Sequence, residues 1–248
     1  MNDSRGQDTE MGIGPDRFPA TPWSAILRTG AVDPEARRAA LHQLVQMYWR
    51  SIYVYVRRKW GKSNEDAKDL TQAFVASILE KEFFQDADRD RGRFRALLRT
   101  ALENFLRNQY AESKTRRRGG AHKTLSLDAA MEAEGADIPV NEVDPPEDLY
   151  RREWTRTLFA RAVADLRRAY AAEDKDRYMA VFDRYQFGEG DDVSYESVAK
   201  ELGLKIWDVT NYLADARRRL RGLIEKFVRE YCVSEEDFKE EIAELFGE

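Results

Sequence analysis

The residues that could do covalent or metal chemistry are few, and their spacing does not favour it. The chain holds two histidines, His42 and His122, and one cysteine, Cys232. The histidines are far apart in sequence and stand in no metal-ligand spacing, so no zinc or iron site is expected. There is no glycine-rich loop of the kind that cradles phosphates and no nucleophile elbow. Asp66 and Asp69 stand one turn apart on a helical stretch. Such a pair usually makes a solvated or partner-binding face and rarely a proton-transferring dyad. The expectation is a protein that binds rather than reacts, with no catalytic residue, no metal and no cofactor.

Recognition chemistry is better represented. Arg93, Arg95, Arg99 and Arg107 share one face of a helical stretch, and Arg116-Arg117-Arg118 and Arg217-Arg218-Arg219 form two basic runs. The formal net charge is -5, which argues against nucleic-acid binding through bulk charge but leaves local basic surfaces available. A single cysteine cannot form an internal disulfide, which fits a reducing compartment. No apolar run approaches a membrane span, and the acidic, polar first residues lack the basic-then-apolar order of a signal peptide. A cytoplasmic location with no membrane partner is expected.

Apolar periodicity supplies the elements that position these groups. Residues 1–17 read as a disordered tail. Thr21-Pro22-Trp23 and Asp33-Pro34-Glu35 are helix starts, with Pro at the first helical position. From the second start, Ala40, Leu41, Leu44, Val45, Tyr48, Ile52, Tyr55 and Val56 predict a long amphipathic helix to Lys59. Ser63 or Asn64 caps the next, with Ala67, Leu70, Phe74 and Ile78 inward and Asp66, Asp69 and Gln72 outward. A third runs from Arg93 to Arg118, burying Phe94, Leu97, Leu98, Ala101, Leu102, Phe105 and Leu106. Residues 121–148 turn acidic, with Pro145-Pro146, and read as a flexible linker. Beyond it, Tyr150, Trp154, Leu158, Ala162 and Leu166 form one stripe, and Tyr178, Val181, Phe182 and Tyr185 another. No period-two strand appears, so the chain is expected to be all-α, with two helical lobes.

The densest recognition signal is Ser194–Arg221. Ser194 is a good N-cap, and Ala199, Gly203 and Val209 follow the helix-turn-helix spacing of a small residue, a turning glycine and a branched apolar residue. Spacing alone equally allows a plain helical hairpin.

Taken in order, these parts resemble a bacterial RNA polymerase sigma factor, of the extracytoplasmic-function (ECF) group of the sigma-70 family. Asp66-Ala67-Lys68-Asp69-Leu70-Thr71-Gln72-Ala73-Phe74 looks like the family's core-binding helix. Phe94-Arg95-Ala96-Leu97-Leu98, with Asn104 beyond, is similar to its promoter-melting helix. Ser194-Tyr195, Val198-Ala199, Leu202-Gly203, Val209 and Arg217-Arg218-Arg219-Leu220 complete the set. Phe18 to Ser24, and Arg118-Gly119-Gly120 with Leu125-Ser126-Leu127-Asp128, look like one branch of the group. The resemblance spans about Phe18 to Arg229.

It implies a region 2-like bundle over 18–120, a region 4-like helix-turn-helix domain over 149–230 and a short helical extension over 231–248. It further implies core RNA polymerase as partner, through its largest-subunit coiled coil and its flap, with Asp66, Asp69, Leu70, Gln72 and Phe74 meeting the coiled coil. The downstream (-10) promoter element would meet Arg95, Arg99, Asn104, Arg107 and Asn108. The upstream (-35) element would meet Lys205, Trp207, Thr210, Asn211, Arg217 and Arg218. Trp60 and Tyr110 could stack bases or belong to the core. An anti-sigma or other regulatory protein would be a further partner. Two other functions fit the residues: a stand-alone helix-turn-helix regulator, and a sigma-like interaction module that no longer binds DNA. The chain departs from the family pattern at Lys68, where an acid is usual, and at Asp208, Thr210 and Asp215. The two acids are expected to weaken upstream binding by repelling phosphates.

Overall fold

The computed structural model describes residues 34–80, 94–115, 144–188, 193–232 and 234–247. The expected tail, the helix start at Thr21, the basic run 116–118 and the linker up to Val143 lie outside them. The end of the linker expected over 121–148 is corrected, because a helix starts at Pro146 and Asp144 and Glu147 are tied to Arg58 and Lys59. Among the described residues every regular element is helical. In chain order these are α1 (Pro34–Trp60), α2 (Asn64–Glu80), α3 (Phe94–Thr115), α4 (Pro146–Ala172), α5 (Asp176–Phe187), α6 (Tyr195–Leu202), α7 (Ile206–Tyr231) and α8 (Glu235–Phe246). None is long and apolar enough to cross a membrane.

The second half of α1 organises the molecule. Tyr48, Trp49, Ser51, Ile52, Tyr53, Val54, Tyr55 and Val56 are all buried. A helix apolar on every side must be covered on every side. Here α4 covers one flank in the most extensive helix pair of the fold, and α2 covers another. The single-stripe expectation for this helix was therefore too narrow, since Trp49, Tyr53 and Val54 are buried too. The sequence held the signal, because no charge interrupts Ser51 to Val56.

Polar ties fix α4 against α1. Glu153, nearly buried, accepts from Arg50 Nε at 3.3 Å and pairs with Arg156 at 3.0 Å. Lys59 meets Glu147 at 3.0 Å, which holds that carboxyl below its usual range. Arg58 Nε donates to the Asp144 carbonyl at 3.1 Å. Tyr55 donates to Glu103 of α3 at 2.5 Å, and burial, then that carboxylate, raise the phenol pKa.

One core runs through α1, α2, α3, α4, α5, the second half of α7 and α8. It includes Tyr48 and Phe74 before residue 120 and Trp154, Phe227 and Phe238 after it. The expected division between lobes is not marked by a gap in this packing. A second, smaller core holds Val181, Val198, Ala199, Val209 and Leu213. It joins α5, α6 and the first half of α7 into a unit of its own.

Candidate nucleic-acid interface

The small core belongs to a helix-turn-helix unit. The chain reaches α6 extended at Ser194, whose Oγ accepts from Ser197 N at 3.1 Å, while Ser197 Oγ accepts from Ser194 N at 2.9 Å. That reciprocal cap satisfies two backbone donors at the helix start. At the other end Gly203 takes φ 64° and ψ 37°, and Leu204 N donates to Ala199 O at 2.9 Å. A left-handed residue suits glycine, which has no Cβ to clash. Ala199 and Val209, the small and branched members of the pattern, are 5% and 0% exposed. The residues that suggested the motif are those that build the turn and its core.

α7 divides cleanly by face. Val209, Leu213, Ala216 and Leu220 are buried. Ile206, Trp207, Thr210, Asn211, Ala214, Arg217 and Arg218 are exposed and recur at threes and fours, forming one continuous stripe. Of the residues expected to read the upstream element, Trp207, Thr210, Asn211, Arg217 and Arg218 lie on this stripe, and Lys205 is exposed just before it.

The two suspect acids have structural duties. Asp208 Oδ2 accepts from Lys205 N at 3.2 Å, capping the start of α7. Asp215 accepts from Tyr170 Oη at 2.9 Å and pairs with Arg219 at 2.9 Å and with Arg218. Burial, then Asp215, raise the Tyr170 pKa. Arg219 also makes a two-point pair with Glu173 at 2.6 and 3.0 Å. With Lys175 added, it pulls the Glu173 carboxyl down to about 2. Neither aspartate is a bare negative charge on the exposed face.

The other expected faces divide. On α2, Asp66 and Asp69 are exposed, and Gln72 and Leu70 are half-buried. Phe74 is fully buried against Phe105, ring centres 5.4 Å apart, so it holds α2 to the body. Ser63, rather than Asn64, caps the helix, its Oγ accepting from Asp66 N at 3.1 Å. On α3, Asn104, Arg107 and Asn108 are exposed, and Arg107 pairs with Glu103 at 3.4 Å. Tyr110 is 51% exposed, 6.2 Å from the half-buried Trp60 ring.

Arg95 is elsewhere. It is buried under α8, with its Nη2 at 2.9 Å from Glu244 and 3.3 Å from Glu241, and its guanidinium 4.5 Å from the Trp154 ring centre. In this arrangement it cannot face phosphates. Arg99 is half-buried beside it, in a polar cleft of about 560 Å³ with Glu147, Asp237 and Glu240. Sequence reasoning missed this cluster because Glu241 lies far along the chain from Arg95. The available signal was an acid on the inward face of α8, between Phe238 and Ile242. A more apolar groove of about 910 Å³ runs along α4, lined by Phe159, Val163 and Phe187 and rimmed by Arg152, Arg156 and Arg167. None of the expected site residues lines it.

Comparison with models of known protein families, with curated proteins and with solved structures finds no match to this chain.

Proposed function

We propose that the chain is a sigma-type promoter-specificity factor, acting in the cytoplasm with core RNA polymerase. One observation carries the DNA-binding part of this reading: the continuous exposed stripe of α7, set on a capped helix-turn-helix unit with its own core. Such a unit offers a helix that fits the major groove, with base-facing residues at its start and basic residues farther along for phosphates. The exposed acids Asp66 and Asp69 support docking on a polymerase surface. The exposed α3 group Asn104, Arg107 and Asn108 supports contact with melted DNA.

In this reading the packing of α4 and α8 on α1 and α3 is a closed state. Two lobes, joined by the acidic segment before Asp144, separate on polymerase and release Arg95 from Glu241 and Glu244. Strand opening would draw on binding free energy, without nucleotide hydrolysis by this chain.

The buried Arg95 favours a second reading, a stand-alone helix-turn-helix regulator in which α3 never meets DNA. Co-elution with core polymerase, followed by run-off transcription on a promoter library, separates the two. Complex formation and promoter-dependent transcripts are expected, and absence of any complex would sink the sigma-type reading. Asp69→Ala with Gln72→Ala is expected to weaken co-elution without unfolding the chain, as circular dichroism would check. Unchanged co-elution would remove those residues from the interface.

A further inference from the structure

The exposed stripe of α7 has an unusual composition at its base-facing end. Trp207 is 72% exposed and Ile206 48% exposed, adjacent on the first turn. Trp207 is the most exposed large apolar side chain among the described residues. Adjacent exposed apolar groups on a folded surface mark a place where something apolar is met. Thr210, Asn211 and Ala214 continue the stripe. From Ile206 to Ala216 the helix has no lysine or arginine, and the two acids in that span are engaged in the cap and the Tyr170 network. Thr210 Oγ donates to Ile206 O at 3.0 Å, so its proton is already committed.

The major groove has one apolar feature, the thymine 5-methyl group. Guanine is most often read there by a two-point bond from arginine or lysine, and adenine by one from asparagine or glutamine. The first two turns of α7 hold no arginine or lysine, Lys205 standing just before them, and their one acid, Asp208, already caps the helix start through Oδ2. They hold one adenine reader, Asn211, and a wall suited to methyl groups. Positive charge flanks this wall: the exposed Lys205 just before it, Arg217 and Arg218 about three turns on, and the exposed Lys200 on α6.

We infer that this helix reads an A·T step, with thymine methyl groups against Trp207 and Ile206 and an adenine against Asn211. The inference rests on the DNA-binding reading above and adds the base identity and the residue that sets it. Trp207 is the specificity residue, Asn211 its polar partner, and the arginines supply affinity without preference.

The test uses the full chain, alone and with core polymerase, on a pool of random-centred duplexes selected for binding. The expected result is enrichment of sites centred on an A·T step. Replacing thymine by deoxyuridine in the enriched duplex removes only the methyl group, and should weaken binding about tenfold. Trp207→Ala, an exposed position, should abolish that methyl dependence. Arg218→Ala should weaken enriched and scrambled duplexes alike. Enrichment of G·C centres, or equal binding of thymine and deoxyuridine duplexes, would overturn the inference while leaving DNA binding intact. No enrichment of any duplex in either condition would overturn the DNA-binding reading, and the inference with it.

Discussion

At the scale of single residues, the environment of Arg95 is the most consequential feature. A guanidinium buried without partners would cost several kcal/mol in lost solvation. Here two carboxylates and an indole face surround it, at 2.9, 3.3 and 4.5 Å. Glu241 is the deeper acid, with a side chain 1% exposed, whereas that of Glu244 is 28% exposed. The two should therefore matter unequally. Glu241→Gln should lower unfolding free energy by about 3 kcal/mol, because it leaves a buried cation short of charge. Glu244→Gln should cost about 1 kcal/mol or less, as solvent screens an exposed partner. Chemical denaturation of the two variants checks the order. Equal losses would show that depth is not what sets the cost. Asp208 and Asp215 teach the same lesson about charge: on the printed sequence each looks like an acid opposing DNA, yet each is held by a backbone amide or by arginine.

At the scale of elements, two glycines with opposite duties give a paired prediction. Gly203 sits at φ 64°, so Gly203→Val should cost about 1–3 kcal/mol through backbone strain in the α6–α7 turn. Gly222 lies exposed within α7, with nothing within 4 Å of an added Cβ. Gly222→Ala should stabilise the helix by up to about 1 kcal/mol, since alanine loses less backbone freedom. Thermal melts of the two variants should move in opposite directions. A stabilised Gly203→Val would mean that the turn is not the one described.

Elements of this kind were legible in the sequence because their signals are local. The Ala199–Gly203–Val209 spacing, the Ser194 cap and the α4 stripe from Tyr150 to Leu166 each lie within a few turns. What could not be read is pairing between distant segments. Nothing near Arg95 names Glu241, and nothing near Ser51–Val56 says that α4 is the helix covering it. Periodicity tells which face is buried but not against what, and a helix buried all round has no periodicity to read.

At the scale of the whole molecule, the question is whether the halves on either side of residue 120 stand as one body or two. The contacts argue for one. Trp154 of α4 is fully buried, packs edge-on against Tyr231 of α7 with ring centres 5.8 Å apart, and lies under Arg95 of α3. Tyr55 of α1 meets Tyr150 of α4 at 5.9 Å. A shared core of this kind should unfold as a unit, because no helix of one half can leave without exposing apolar surface of the other. Trp154→Ala should cost about 3–5 kcal/mol. In hydrogen exchange under mild denaturant, amides of α1 and of the second half of α7 should lose protection together, in the parent chain and at lower denaturant in the variant. Separate exchange in the two halves would show two independent lobes. Joint exchange would make separation of the halves costly, so under the proposed function any partner that opens this packing would have to cover the apolar faces of α1 and α4 that it uncovers.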